Sequence, residues 1–232
     1  MKKLELISTT DKSAVYNQPD LAALTGPELK KMRWAKGLVS KTYVLTGDIS
    51  REAEVLAALP SDLAVWGLYA AQKADLVVPA NVAFTPSIRR VGLKKFEDVK
   101  QAYLATRASW QSARPGALTP RQAAETEEVI KNLLPEALNV YFEVSRKPAG
   151  MLLLNSYCDY LGEAAELIPW VWVDPALGAH ERGILHAAMA AWLQGSITAS
   201  VHAYVAADNP RAQEFFKAMG FALEAVYVMK EK

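Results

Sequence analysis

The residues able to do chemistry are few, and most fall late in the chain. Three histidines, His180, His186 and His202, and one cysteine, Cys158, are its only imidazoles and thiol. Such scattered residues do not make a multi-ligand zinc site, and a lone cysteine excludes an internal disulfide. Cys158, between Tyr157 and Asp159, is expected to pack or sit in a loop rather than act as a nucleophile. His180, Glu181 and Arg182 precede an apolar helical stretch, Gly183 to Leu193, and on their own read as a solvated loop. Lys30 to Lys36, with Trp34 inside it, is the only basic cluster that carries an aromatic, and it is expected to be a solvated helix face.

The elements that must position these residues can be followed along the chain. Thr42 to Thr46 reads as a strand, Arg51 to Leu59 as a helix capped by Ser50 and ended by Pro60, and Leu63 to Tyr69 and Leu76 to Val78 as two further strands. Ile88 to Leu93 is a strand. Phe96, Val99, Tyr103, Leu104 and Trp110 mark an amphipathic helix. A second helix starts at Thr119-Pro120, with Val129, Ile130, Leu133 and Leu134 facing inward. Asn139 to Ser145 and Gly150 to Leu154 form a hairpin across Arg146 to Ala149. Leu167 to Val173 is nearly continuous in apolar residues, as expected of a strand buried on both faces. The helix Gly183 to Leu193, a strand Thr198 to Val205, a short helix and a strand Glu224 to Met229 complete the order.

Length and composition bound the rest. A chain of 232 residues, half of them apolar, can bury a substantial core in one large or two small domains. A net charge of +1 argues against nucleic acid as a partner. The longest apolar runs are too short to cross a bilayer, so no membrane partner is expected. The N-terminus has no signal-peptide pattern, and a cytoplasmic location follows as the default.

The segment Asn209 to Phe221 is the most specific. Asn209 can cap a helix that has Pro210 at its first position. Ala212, Phe215, Phe216 and Met219 then form one apolar face, and Gly220 stops the helix so that Phe221 folds back. This pattern, N-x-x-A-x-x-F-(Y/F)-x-x-x-G-F, resembles the fourth helix of the GNAT (N-acetyltransferase) superfamily. The order of elements over residues 86–232 is similar to that fold as well. The resemblance implies an α+β protein with a mixed central sheet flanked by helices, and residues 1–85 as a smaller N-terminal α/β lobe. It further implies an N-acyltransferase using acetyl-CoA, with a small-molecule or peptide amine as acceptor attacked directly. A homodimer through exposed terminal strands is also compatible with it.

The family resemblance also assigns residues. Val173-Asp174-Pro175 matches the V-x-P that closes the fourth strand. The coenzyme A loop then puts His180 at the family's Q/R position and Gly183 at its first glycine, with Glu181, Arg182 and Ile184 between and beside them. Leu185 falls where a second small residue belongs, and Arg182 is placed to bond phosphate. The backbone of Val171 and Val173 would hold the pantetheine arm, which Asn209 would approach. A base near the start of the fourth strand falls on Leu167, so Glu166 serves only if a bulge, at Pro169, restores its register. The family's leaving-group tyrosine falls on Phe216, which cannot donate a proton. Tyr204, or Tyr157 or Tyr160, would have to substitute. Because Leu185 and Phe216 both depart from the pattern, the second expectation is a GNAT-fold module that binds acyl-CoA without turnover.

Overall fold

The computed structural model describes residues 5–9, 13–17, 40–45, 64–78, 88–112, 126–159, 162–207 and 209–231. The helix expected over Arg51 to Leu59, the basic cluster Lys30 to Lys36, Tyr160, and the start of the second helix at Thr119 lie outside these residues. The chain divides into two compact units, Met1–Ala70 with Ala203–Lys232, and Ala71–His202. Neither coincides with a linear cut at residue 85, because the C-terminal strand and helix group with the first seventy residues. Two strands, β4 (Ala64–Gln72) and β9 (Ser200–Ala206), begin in one unit and end in the other.

In the first unit, β1 (Glu5–Thr9) pairs antiparallel with β2 (Ser13–Asn17), and β2 pairs parallel with β3 (Ser40–Leu45). The last strand, β10 (Ala222–Glu231), lies antiparallel between β3 and β4. Strands from the N-terminal part thus lie on both sides of β10. The short helix expected from the Asn209 motif is present at Pro210–Ala218. Asn209 Oδ1 accepts from the Ala212 N–H at 3.3 Å, and Gly220 takes a φ of +92° to end the turn. Phe216 packs edge-on against Phe215 and Phe221.

In the second unit, β5 (Ile88–Val91), β6 (Leu138–Val144), β7 (Lys147–Cys158) and β8 (Ala164–Val173) run antiparallel in that order, and β8 runs parallel to β9. The β6–β7 turn sits at Ser145 and Arg146, both at positive φ, two residues tighter than the sequence suggested. Residues 76–78 are not a strand. A 3-10 turn at Lys73–Asp75 precedes them, held by Lys73 N–H to the Ala199 carbonyl and Lys73 Nζ to the Ile197 carbonyl.

Helix α1 (Phe96–Ser112) covers one face of this sheet, where Val99 and Tyr103 pack with Leu134, Met151 and Leu153. The second helix ends at residues 129–136 in a wide turn followed by a 3-10 turn, with Pro135 inside the latter. Helix α2 (Ala179–Ser196) buries Leu185 and Met189 against Gly150 of β7. A Cβ on Gly150 would sit 2.6 Å from Met189 Cε and 3.0 Å from Leu185 Cδ2, so this helix approaches the strand closely only because residue 150 is glycine. The class is the expected one: a mixed α+β sheet flanked by helices.

Candidate acyl-donor site

The site is built around β8, where the register changes. Leu153 of β7 faces Trp170, and two residues further along β7 Asn155 faces Leu167, three residues back along β8. One extra residue therefore bulges on β8 at Ile168-Pro169, where proline has no amide hydrogen to lose from the ladder. Residues paired across antiparallel strands share a face. Leu167 consequently joins the face of Trp170 and Trp172, and Glu166 joins that of Val171 and Val173. The bulge that Glu166 required of the sequence is present, at the expected proline.

Glu166 is 8% exposed. Its Oε1 accepts from the Thr198 N–H at 3.1 Å and from Thr198 Oγ1–H at 2.7 Å, so the turn between α2 and β9 clamps the carboxylate. Its Oε2 is buried and accepts no hydrogen bond. A buried carboxylate oxygen left without a donor is costly unless something else meets it.

Within this unit β8 pairs with β9 through Glu166 with Val201 and Leu167 with His202. On the other face, His202 is 4% exposed, and its Nδ1 lies 2.5 Å from Tyr157 Oη. The two rings meet edge to face at 5.7 Å. Tyr157 pairs with Ala165, whose short side chain leaves room for the phenol to reach across β8.

Beyond Val173 the chain turns sharply. Asp174 Oδ1 accepts from the Ala176 N–H, the Asp174 carbonyl accepts from the Leu177 N–H, and α2 begins at Ala179. The amides of Ala179, His180 and Glu181 head the helix and have no intrahelical acceptor. The Glu181 carboxylate folds back to accept from the Gly178 N–H at 2.9 Å, one half of a capping box. Being negative and engaged, that side chain is no phosphate ligand, and any contribution of Glu181 comes from its main chain. Arg182 Nη2 donates to the Leu177 carbonyl at 2.7 Å, and His180 is exposed. Gly183 is exposed, and a Cβ there would meet nothing within 4 Å. Leu185 does not crowd this loop, because its side chain is turned inward and is 0% exposed beneath Gly150. A helix start with free amides, an open glycine and a nearby guanidinium fit a pyrophosphate.

Burial, and secondarily Arg182, push the pKa of His186 below its ordinary 6.5. A neutral imidazole in the fold against a protonatable one in the unfolded chain sets the sign. Its contribution is complete above pH 6.5 and is lost as pH falls below that value. His186→Gln should therefore flatten the acid limb of stability, checked by urea midpoints between pH 7.5 and about 4.5.

The remaining expected residues lie in the other unit. Tyr204 is 40% exposed on β9, and its hydroxyl donates to Tyr227 Oη at 3.4 Å. Asn209 is engaged as a helix cap. Phe216 is buried among phenylalanines. Sequence reasoning missed His202 and Thr198. A histidine at an inward position of an otherwise apolar strand was the signal for the first. Nothing local pointed to the second.

Solved structures share this architecture. A conserved protein of unknown function from Staphylococcus epidermidis aligns over 95% of this chain and 84% of its own, at 13% identity and a TM-score of 0.58. A Drosophila protein aligns over 99% and 73%, at 16% identity and a TM-score of 0.50. A GCN5-related N-acetyltransferase from Kribbella flavida aligns over 94% and 79%, at 16% identity and a TM-score of 0.49. At these identities the first two show the fold and nothing finer. No protein-family model and no curated protein matches the chain.

Proposed function

We propose that the protein is a coenzyme A-dependent N-acyltransferase, moving an acyl group, acetyl in the simplest case, from the thioester to an amine by direct attack. The observation that carries this reading is the bulged β8, which brings the buried Glu166 onto the face of Val171 and Val173, while α2 begins just past the far end of that strand. The arm of an acyl-CoA laid along β8 would bond to the main chain of Val171 and Val173. Its pyrophosphate would meet the amides of Ala179 to Glu181, Gly183 and Ile184, with Arg182 and His180 supplying donors. Glu166 is the candidate base. Thr198 fixes one carboxylate oxygen and leaves the other to take a proton from the attacking amine. Main-chain amides of β8 would hold the oxyanion.

A second reading, a module that binds acyl-CoA without turnover, is favoured by one observation: Phe216 occupies the position of the family's proton donor and is buried. Calorimetric titration with coenzyme A and thiol release from acetyl-CoA with a panel of amines separate the two. Binding together with amine-dependent thiol release is the expected result. Binding without release supports the module, and no binding at all removes both readings.

A further inference from the structure

Resting on the acyl-transfer reading, we propose that Lys73 positions the candidate base Glu166, acting through the turn Ile197-Thr198-Ala199. That turn joins α2 to β9 and is gripped from two sides. From β8, Glu166 Oε1 takes both hydrogens that Thr198 offers, the N–H at 3.1 Å and the hydroxyl at 2.7 Å. From the 3-10 turn after β4, Lys73 engages both flanking carbonyls. Its Nζ donates to Ile197 at 3.0 Å, and its N–H donates to Ala199 at 2.7 Å. Thr198 therefore stands between two carbonyls that one residue fixes.

Aim matters here because Glu166 has a single oxygen left for a substrate. Two bonds from Thr198 set the plane of the carboxylate, and with it the direction of the buried Oε2, which accepts no hydrogen bond. A base must lie within hydrogen-bond reach of the proton it takes, and a displacement of about 1 Å can cost about 100-fold in rate. Thr198 cannot hold that aim by itself, since a turn residue moves with its turn. Lys73 supplies the anchor. Charge points the same way. The carboxylate lies against residues just past the last turn of α2, the negative end of the helix dipole, where an anion is disfavoured. The last turn of α2 holds no basic residue of its own, and Lys73 brings a full positive charge to its C-cap carbonyl, that of Ile197.

The test is a double-mutant cycle on kcat with acetyl-CoA and the fastest acceptor of the amine panel. It uses wild type, Lys73→Met, Glu166→Gln and the double variant, with Lys73→Arg as the conservative control. Lys73 is exposed, and Lys73→Met keeps the main-chain bond to Ala199, so the fold should persist. Should it not, Lys73→Gln takes its place. Lys73→Met should lower kcat about tenfold, leave coenzyme A affinity within about twofold of wild type, and speed amide exchange at Thr198. Lys73→Arg should recover most of the loss, because it keeps both the charge and a donor. In the Glu166→Gln background the same Lys73→Met change should cost less than about twofold, since nothing is left to position. A merely structural Lys73 would lower kcat by the same factor in both backgrounds. That result overturns the assignment, as does a Lys73→Met kcat within about twofold of wild type or a Glu166→Gln kcat equal to it, and acyl transfer stands in each case. A wild type that neither binds coenzyme A nor releases thiol overturns the underlying reading, and this one with it.

Discussion

Gly183→Ala should stabilise the free protein and weaken coenzyme A binding, two effects of opposite sign from one methyl group. Gly183 lies inside the first turns of α2, where alanine is favoured over glycine by about 1 kcal/mol through backbone entropy. Nothing opposes the added Cβ in the free protein, since no atom lies within 4 Å of it. A glycine held open at such a position has no use for packing. In the proposed acyl-CoA site it would allow the close approach of an anion to the main chain, which a methyl group would block. The expected loss is at least about tenfold in affinity, or about 1.4 kcal/mol. Thermal unfolding and titration calorimetry on the same preparation check both halves. Unchanged affinity would move the pyrophosphate away from this helix.

Leu185→Ala should be among the most destabilising single changes in the chain, at about 2–5 kcal/mol, with no gain in coenzyme A affinity. Leu185 is wholly buried beneath Gly150, with Met189 beside it, and truncation leaves a cavity in a joint that closes only because residue 150 has no side chain. The alignment with the family motif makes Leu185 look like an obstacle to phosphate, and its conversion to a small residue like a repair. The structure makes it part of the core. Denaturant unfolding together with calorimetry decides between them. Mild destabilisation with tighter binding would mean that α2 is rotated, with Leu185 turned toward the phosphate loop instead of β7.

That residue also shows what the sequence could and could not convey. The elements around the site were legible because their signals are local. Val173-Asp174-Pro175 closes a strand, Gly183 to Leu193 is apolar throughout, and Asn209-Pro210 with Gly220-Phe221 brackets a short helix at both ends. The bulge was legible as a condition, since Glu166 and Val171 share a face only if one residue is absorbed near Pro169. Which way Leu185 points was not legible. The direction depends on how closely α2 approaches β7, and that is set by Gly150, far away in sequence. The clamp of Thr198, in the turn before β9, on Glu166 and the meeting of Tyr157 with His202 are likewise long-range contacts, fixed by tertiary placement rather than by spacing. The strand expected at residues 76–78 failed for a related reason. Its apolar run is real, but Lys73 ties the preceding turn to Ile197 and Ala199. The placement of β4 beside β10 has no local signature at all, because strand order in a sheet is decided by long-range pairing.

Amide hydrogen exchange resolved by residue, with and without coenzyme A, tests the central claim most directly. Main-chain amides exchange more slowly once a ligand bonds to them. Coenzyme A should slow exchange at residues 170–173 of β8 and at residues 179–184 at the head of α2, and leave β5 and β6 unchanged. Protection confined to other parts of the chain, or none at saturating ligand, would contradict the placement of the acyl donor and the function drawn from it.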